Sequence, residues 1–560
     1  MSARRPGGAF MEDERVPGVY VTERNFGDVA IDLYTVVESV APEWLAGARW
    51  LQRKDIPISQ VKVRDLGTLA GDESALCVLT VIEVVFHARG EEKERSDLYN
   101  VPLVVAMRGV ETGSEPLAQI RGPGYEALVY DAADTAMFAR AALEGVRQGT
   151  VVATAEGAFE FRGAGPGAPG AVRAATKLPG TSTNTLVAVD STWIMKVYRR
   201  MVRGASPDLE MSVGLTKAGF GHMPATAGYA VYRTRDGASF PIFLVQQFVP
   251  NHGEAWRRFL ADAAAFVRGG EAEGEGGKDR SAARLGEITA ELHCASARVG
   301  DDAFRPVDMD SRDVLALEQS LGGSVSESMK ALRQAEGRYE QPYTGMIRDA
   351  ARRADDLIAL VKRACRGLES GRDLGKKIRI HGDLHLGQFL VIAGEARNCG
   401  EDFVVIDFEG EPLRPSEERR LRASPLRDVA GMQRSFDYVA YSAVLAPEGN
   451  RSEYGGGASA APAHAGRGEI EHALFQRARA WGRRAAAAFL AGYLQRIRRD
   501  APDLVPGDDK DFRLLLTSFK LEKALYEVRY ELWNRPTWVE IPIAGVLDCM
   551  EELGGLVGRP

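Results

Sequence analysis

The sequence predicts an α+β fold in which a β-rich N-terminal lobe precedes a mainly helical C-terminal lobe. Two observations carry this. Before Gly163, β-rich runs such as Ala75–Phe86 (ALCVLTVIEVVF) and Val101–Met107 (VPLVVAM) alternate with clusters of turn and charged residues, the pattern of sheet strands. Beyond residue 280 the pattern changes to long amphipathic stretches, Ser281–Ala297, Tyr343–Leu368, Ile470–Arg498 and Asp511–Leu532, with apolar positions at three- and four-residue spacing.

A chain of 560 residues exceeds what one hydrophobic core usually sustains, so two or three packed units are expected. The apolar fraction of 45% and charged fraction of 27% are ordinary for a globular protein. With 71 basic against 78 acidic side chains there is no electrostatic footprint for nucleic acid or anionic lipid. Cys77, Cys294, Cys365, Cys399 and Cys549 are scattered and contain no C-x-x-C pair, which signals neither a disulfide framework nor a zinc site. Met11–Arg15 is charged where a signal peptide needs an apolar run, and no stretch of 18 apolar residues occurs, so a cytoplasmic location without membrane attachment is expected. Gly163–Gly170, Gly269–Lys278 and Gly455–Gly468 are too poor in large apolar residues to offset the entropy of ordering them, and read as connections or mobile surface insertions.

The chemistry concentrates in Lys377–Ile392 (KIRIHGDLHLGQFLVI), a polar turn between two short strands. Asp383 and Gln388 stand five positions apart, the offset at which a kinase catalytic loop places the carboxylate that accepts the acceptor hydroxyl's proton and the amide that ligates magnesium. Downstream, Phe403–Gly410 (FVVIDFEG) sets Asp407 at the end of an apolar strand, as a second metal ligand would be set. Phosphoryl transfer from ATP needs charge neutralisation and in-line positioning more than covalent help. Gln388 and Asp407 would therefore hold Mg²⁺, with Asp383 as base. His381, opening the loop, is expected to fix its backbone.

Leu178–Tyr198 reads as a hairpin turning at Asp190 and Ser191, with Lys196 on its second strand as the candidate for the nucleotide's α- and β-phosphates. Gly180–Asn184, including Thr181, Ser182, Thr183 and Asn184, is the candidate cover for those phosphates, although it lacks G-x-G-x-x-G. Glu210 follows a helix start capped by Ser206 or Asp208 and is a candidate partner of Lys196. Ile242–Val249 is an apolar strand suited to a hinge, with the backbone of Gln247 and Phe248 as candidates for the adenine edge.

With these residues in view, the chain resembles the bacterial maltokinases of the aminoglycoside-phosphotransferase superfamily. The likeness rests on His381–Gln388 (HGDLHLGQ), Asp407–Pro412 (DFEGEP), Glu418–Arg420 (ERR), Ser424–Ala430 (SPLRDVA) and Arg434–Tyr438 (RSFDY). It is joined by Ser206–Met211 (SPDLEM), Thr289–His293 (TAELH) and Glu522–Pro536. The resemblance implies a two-lobed protein-kinase-like fold with an N-terminal cap over residues 1–120, a nucleotide-binding lobe over 121–250 and a helical lobe with the catalytic loop and sugar site over 251–560. It also implies phosphorylation of maltose at its anomeric hydroxyl to maltose 1-phosphate for α-glucan synthesis, with trehalose synthase as a partner. Arg49–Lys54 (RWLQRK) departs from the family's R-W-F-x-x-K, with Leu51 in the Phe position.

Candidate sugar contacts are His385, Glu409, Asp437, Tyr438, Glu522, Tyr526 and Tyr530, the last three recurring every four residues on one helix face. The tyrosines could equally pack that helix, and Glu409 and Glu411 could pair with Arg419, Arg420, Arg422 and Arg427. Competing readings are a kinase of another sugar, an aminoglycoside or choline on the same fold, and a non-catalytic subunit of a trehalose or glucan enzyme complex.

Overall fold

The computed structural model describes residues 18–51, 53, 56–87, 95–110, 112–165, 172–178, 183–269, 275–338, 343–368, 372–394, 400–411, 414–445 and 469–558. Lys54, Thr181, Ser182, Pro412 and much of the three Gly-rich connections lie outside the described residues. The architecture is α+β, and the chain divides into two compact units, residues 1–209 with 225–248, and residues 210–224 with 249–560.

The first unit is built on two sheets, of eight and seven strands among the described residues. Ala75–Phe86 pairs antiparallel with Ile58–Gly71 and carries two cores at once. Val78, Ile82, Val84 and Phe86 face one core together with helix α1 (Leu33–Gly47), while Cys77, Leu79 and Val81 face the other with helix α2 (Ala136–Gln148). Burial on both faces is why this run is almost continuously apolar.

In the seven-stranded sheet, Thr185–Val189 and Trp193–Val197 form the expected hairpin. Asp190 and Ser191 take φ of 49° and 53°, the two left-handed residues of a tight hairpin turn. Trp193–Val197 is an inner strand, flanked by Thr185–Val189 and Ser239–Gln247. Helix α3 (Pro207–Lys217) begins where the Ser206 hydroxyl accepts the Leu209 N–H at 3.4 Å.

The second unit is helical around one large core. It contains α4 (Ala255–Val267), α5 (Glu275–Ala297) and α6 (Ser311–Ala335), the last opened by a reciprocal capping box between Asp310 and Asp313. The stretch expected as one helix over Tyr343–Leu368 is two, α7 (Tyr343–Arg352) and α8 (Ala354–Leu368), which meet where the Arg353 N–H bonds the Ala350 carbonyl in a tightened turn. The short α9 (Ser416–Arg419) precedes α10 (Leu426–Leu445), α11 (Glu469–Asp500), α12 (Asp509–Asn534) and α13 (Glu540–Val557).

Helices α5 and α11 approach closely because glycines face the partner backbone. A Cβ on Gly286 would sit 2.0 Å from the Phe489 carbonyl oxygen, and one on Gly492 would sit 2.1 Å from that of Ala283. No helix among the described residues is long and apolar enough to cross a membrane.

Candidate active site

The loop from His381 to Gln388 leads into a hairpin of Phe389–Ala393 and Glu401–Val405. Antiparallel register sets Phe389 opposite Val405, and the Ile406 N–H then bonds the Gln388 carbonyl at 2.9 Å. This is how Gln388 and Asp407, distant in sequence, come together, with the Gln388 Nε2 3.5 Å from an Asp407 carboxylate oxygen. Asp407 has φ of 64°, a left-handed conformation that a residue with a Cβ adopts at a cost of about 1 kcal/mol or more. Phe408, the next residue, is buried with its ring 5.1 Å from that of His381.

Asp428, at the start of α10 and buried, organises the loop. Its carboxylate accepts the N–H groups of His381 at 2.8 Å and Gly382 at 2.9 Å, and bonds the His293 Nε2 at 3.2 Å. Burial opposes its charge, but the His293 hydrogen bond, nearby imidazoles and the Gly382 N–H hold its carboxyl below the usual range. His381 is also tied down: its Nδ1 accepts the Asp383 N–H at 3.3 Å, and its Nε2 lies 3.0 Å from the Ile406 carbonyl. Both contacts are made when Nε2 carries the proton. Leu386 N–H donates to the Ser435 hydroxyl at 3.0 Å. The loop can lie against α10 because position 431 is glycine, where a Cβ would meet the Leu384 carbonyl oxygen at 2.7 Å.

Asp383 opens into a cavity of about 560 Å³ within the second unit, whose walls include Glu411, Glu418, Arg427, Glu522, Lys523 and Tyr526. Lys523, on α12, bonds Asp383 at 3.1 Å and Glu411 at 2.6 Å, and Glu411 in turn accepts from Arg414 at 2.6 Å. Burial would raise the Asp383 carboxyl, but Lys523 and the neighbouring imidazoles hold it below its ordinary value. Lys523 is itself kept charged, since Asp383 and Glu411 outweigh its desolvation. Glu522 bonds Arg427 and, at 3.4 Å, the Ser320 hydroxyl. Tyr530 stacks on Tyr526 with ring centroids 6.4 Å apart.

The structure sets other expected contacts apart from this cavity. Asp437 bonds Arg434 at 2.7 Å, and Tyr438, 2% exposed, bonds Glu531 at 3.0 Å, so both serve the packing around a buried guanidinium that also takes Glu527 at 2.8 Å. His385 turns its Nδ1 onto the Gly387 N–H at 3.0 Å, and desolvation pushes its imidazole down to about 4, so it is neutral at ordinary pH. The Glu409 carbonyl accepts from Arg419 at 3.0 Å.

Lys196 bonds Asp208 at 2.8 Å, and Tyr198 shares the same carboxylate oxygen at 2.9 Å. Glu210 instead joins Arg379 at 2.9 Å and Arg420 at 2.7 Å. Within the first unit the carboxylate that meets Lys196 is thus that of Asp208, which the sequence offered only as a helix cap. The N–H groups of Gln247 and Phe248 bond the carbonyls of Ala225 at 2.8 Å and Thr192 at 2.7 Å. Thr183 and Asn184 lie in the bend before Thr185–Val189.

Sequence reasoning missed Lys523 and the roles of Asp428 and His293. The one local signal for Lys523 is its place three residues before Tyr526, which a solvated lysine shares.

No family model matches the chain. It is similar to the glucosamine kinase of Streptacidiphilus jiangxiensis, 27% identical over 353 residues, covering 62% of this chain and 66% of that protein, just under two thirds of its length. It is also similar to the glucosamine kinase of Mycolicibacterium smegmatis (strain ATCC 700084 / mc(2)155), 25% identical over 390 residues, covering 66% of this chain and 78% of that protein. Among solved structures, a glucosamine kinase (crystal form A) superposes with a TM-score of 0.62 at 20% identity over 92% of this chain and 97% of that one. A glucosamine kinase in complex with glucosamine, ADP and inorganic phosphate gives 0.61 at 21% identity, over 90% and 98%. The fold is accordingly the α+β, kinase-like one of these sugar kinases.

Proposed function

We propose that the chain is an ATP-dependent sugar kinase. One observation carries this reading: Asp383, held ionised, faces a cavity of about 560 Å³, and the other end of its loop brings Gln388 beside Asp407. The sugar hydroxyl gives its proton to Asp383 as its oxygen attacks the γ-phosphorus, and the bond from that phosphorus to ADP breaks. Lys523, between Asp383 and Glu411, fixes the direction in which the base points.

The pair Gln388–Asp407 fits a magnesium ion delivered with the nucleotide, since such an ion keeps several waters and takes one or two protein oxygens. Gln388 Nε2 lies 3.5 Å from the Asp407 carboxylate, and a half-turn of the terminal amide would present Oε1 in its place to an ion shared with Asp407. When bound, the ion neutralises charge on the β- and γ-phosphates. On the first unit, Lys196 is the candidate for phosphate contact, with Asp208 orienting its ammonium.

For the acceptor we propose glucosamine, supported by the names of two curated relatives. Maltose, with maltose 1-phosphate as product and trehalose synthase as partner, is the second reading. It is supported by the D-F-E-G-E-P and R-S-F-D-Y runs. The test is ATP consumption with Mg²⁺ over glucosamine, maltose, glucose, trehalose, aminoglycosides and choline, with mass analysis of each product. A phosphorylated glucosamine is expected. Turnover of choline or an antibiotic with no sugar phosphate formed would overturn the reading.

A further inference from the structure

We propose that His293 and Tyr493 are positioning residues that act on Asp383 through Asp428. The inference rests on Asp383 being the base of the proposed reaction. His293 lies in the T-A-E-L-H run of α5 and Tyr493 lies on α11, and both side chains are fully buried. The close approach of these helices at Gly286 and Gly492 brings the imidazole and the phenol together, with 3.0 Å between His293 Nδ1 and the Tyr493 hydroxyl. The other ring nitrogen, Nε2, lies 3.2 Å from Asp428 Oδ2. That same carboxylate holds the two backbone N–H groups immediately before Asp383.

The order of donors follows from chemistry. An ionised carboxylate only accepts, so His293 Nε2 carries the proton. In the neutral ring Nδ1 is then an acceptor, and the Tyr493 hydroxyl supplies its donor. Donors therefore converge on Asp428 from two sides, the Tyr493–His293 chain on one and the N–H groups of His381 and Gly382 on the other. Gly382 has φ of 83°, so these peptide units adopt a conformation that the local sequence alone does not enforce. Without the phenol O–H, the ring keeps its bond to Asp428 but loses the contact that fixes its orientation. Asp428, bonded to a ring of less fixed orientation, then holds the loop less firmly, and the carboxylate of Asp383 moves with the loop. A shift of about 1 Å at a reacting group costs up to about 100-fold in rate.

A double-mutant cycle on the full chain tests this, with phosphoryl transfer measured in single turnover. Tyr493→Phe is expected to lower kcat about 10-fold in the otherwise unchanged enzyme, with KM for ATP and for the sugar within about twofold. In the Asp383→Asn background the same substitution should change the residual rate by less than about twofold, because its route to the reaction is gone. An equal loss in both backgrounds, or an unchanged kcat in the first, would overturn the inference. Should Tyr493→Phe not accumulate as folded protein, the same cycle is run with His293→Gln, whose amide N–H can still reach Asp428, and is judged by the same two criteria. If Asp383→Asn alone leaves turnover intact, the proposed reaction fails instead, which separates the two claims.

Discussion

Lys523 Nζ stands 3.1 Å from Asp383 and 2.6 Å from Glu411, so a single ammonium joins the proposed base to the wall of the acceptor cavity. Replacing it with methionine leaves two partly buried carboxylates without their cation, which should destabilise the fold by about 3 kcal/mol in urea unfolding. The effect on pH dependence has a definite sign. With Lys523 present the Asp383 carboxyl is depressed, so the base stays ionised, and its ion pair stays formed, until the pH falls below its usual value near 4. Without Lys523, desolvation dominates and the acid limb of kcat/KM should move to higher pH. A superimposable pH profile would contradict the ion pair's role.

Asp407→Ala should weaken Mg²⁺-dependent binding of a fluorescent ADP analogue by about 10-fold or more, with Gln388→Ala smaller in effect, because the carboxylate contributes the formal charge. Metal-free binding should be unaltered in both. Titration with and without Mg²⁺ checks the difference.

Gly431→Ala should lower both stability and kcat, because its Cβ would lie 2.7 Å from the Leu384 carbonyl and push the catalytic loop off α10. Overpacking of this kind costs about 1–3 kcal/mol. Thermal unfolding and kcat measured on one preparation should fall together.

How much of this was legible before the structure differs from residue to residue. Asp383, Gln388 and Asp407 could be picked out because strand, polar turn and second strand are local patterns, and a hairpin brings their ends together. The α+β order of the chain was legible for the same reason, since strand and helix periodicities are written in neighbouring residues. Lys523 was not selected because its partner Asp383 lies 140 positions away and an isolated lysine on an amphipathic helix looks like any solvated one. Asp437 and Tyr438 were drawn toward the sugar by sequence, yet the buried Arg434 and Glu531 claim them, a demand set by packing between α10 and α12. Asp208 was legible only as a helix cap, because its partner Lys196 lies 12 positions away and nothing local marks the contact.

The central claim, that Asp383 is the base of a sugar kinase, is tested most directly by comparing Asp383→Asn with the unaltered enzyme in single-turnover transfer from ATP to glucosamine, with the sugar phosphate detected by mass. The account predicts ATP binding within about twofold and a loss of about 100-fold or more in transfer rate. Transfer at the unaltered rate by Asp383→Asn would contradict it.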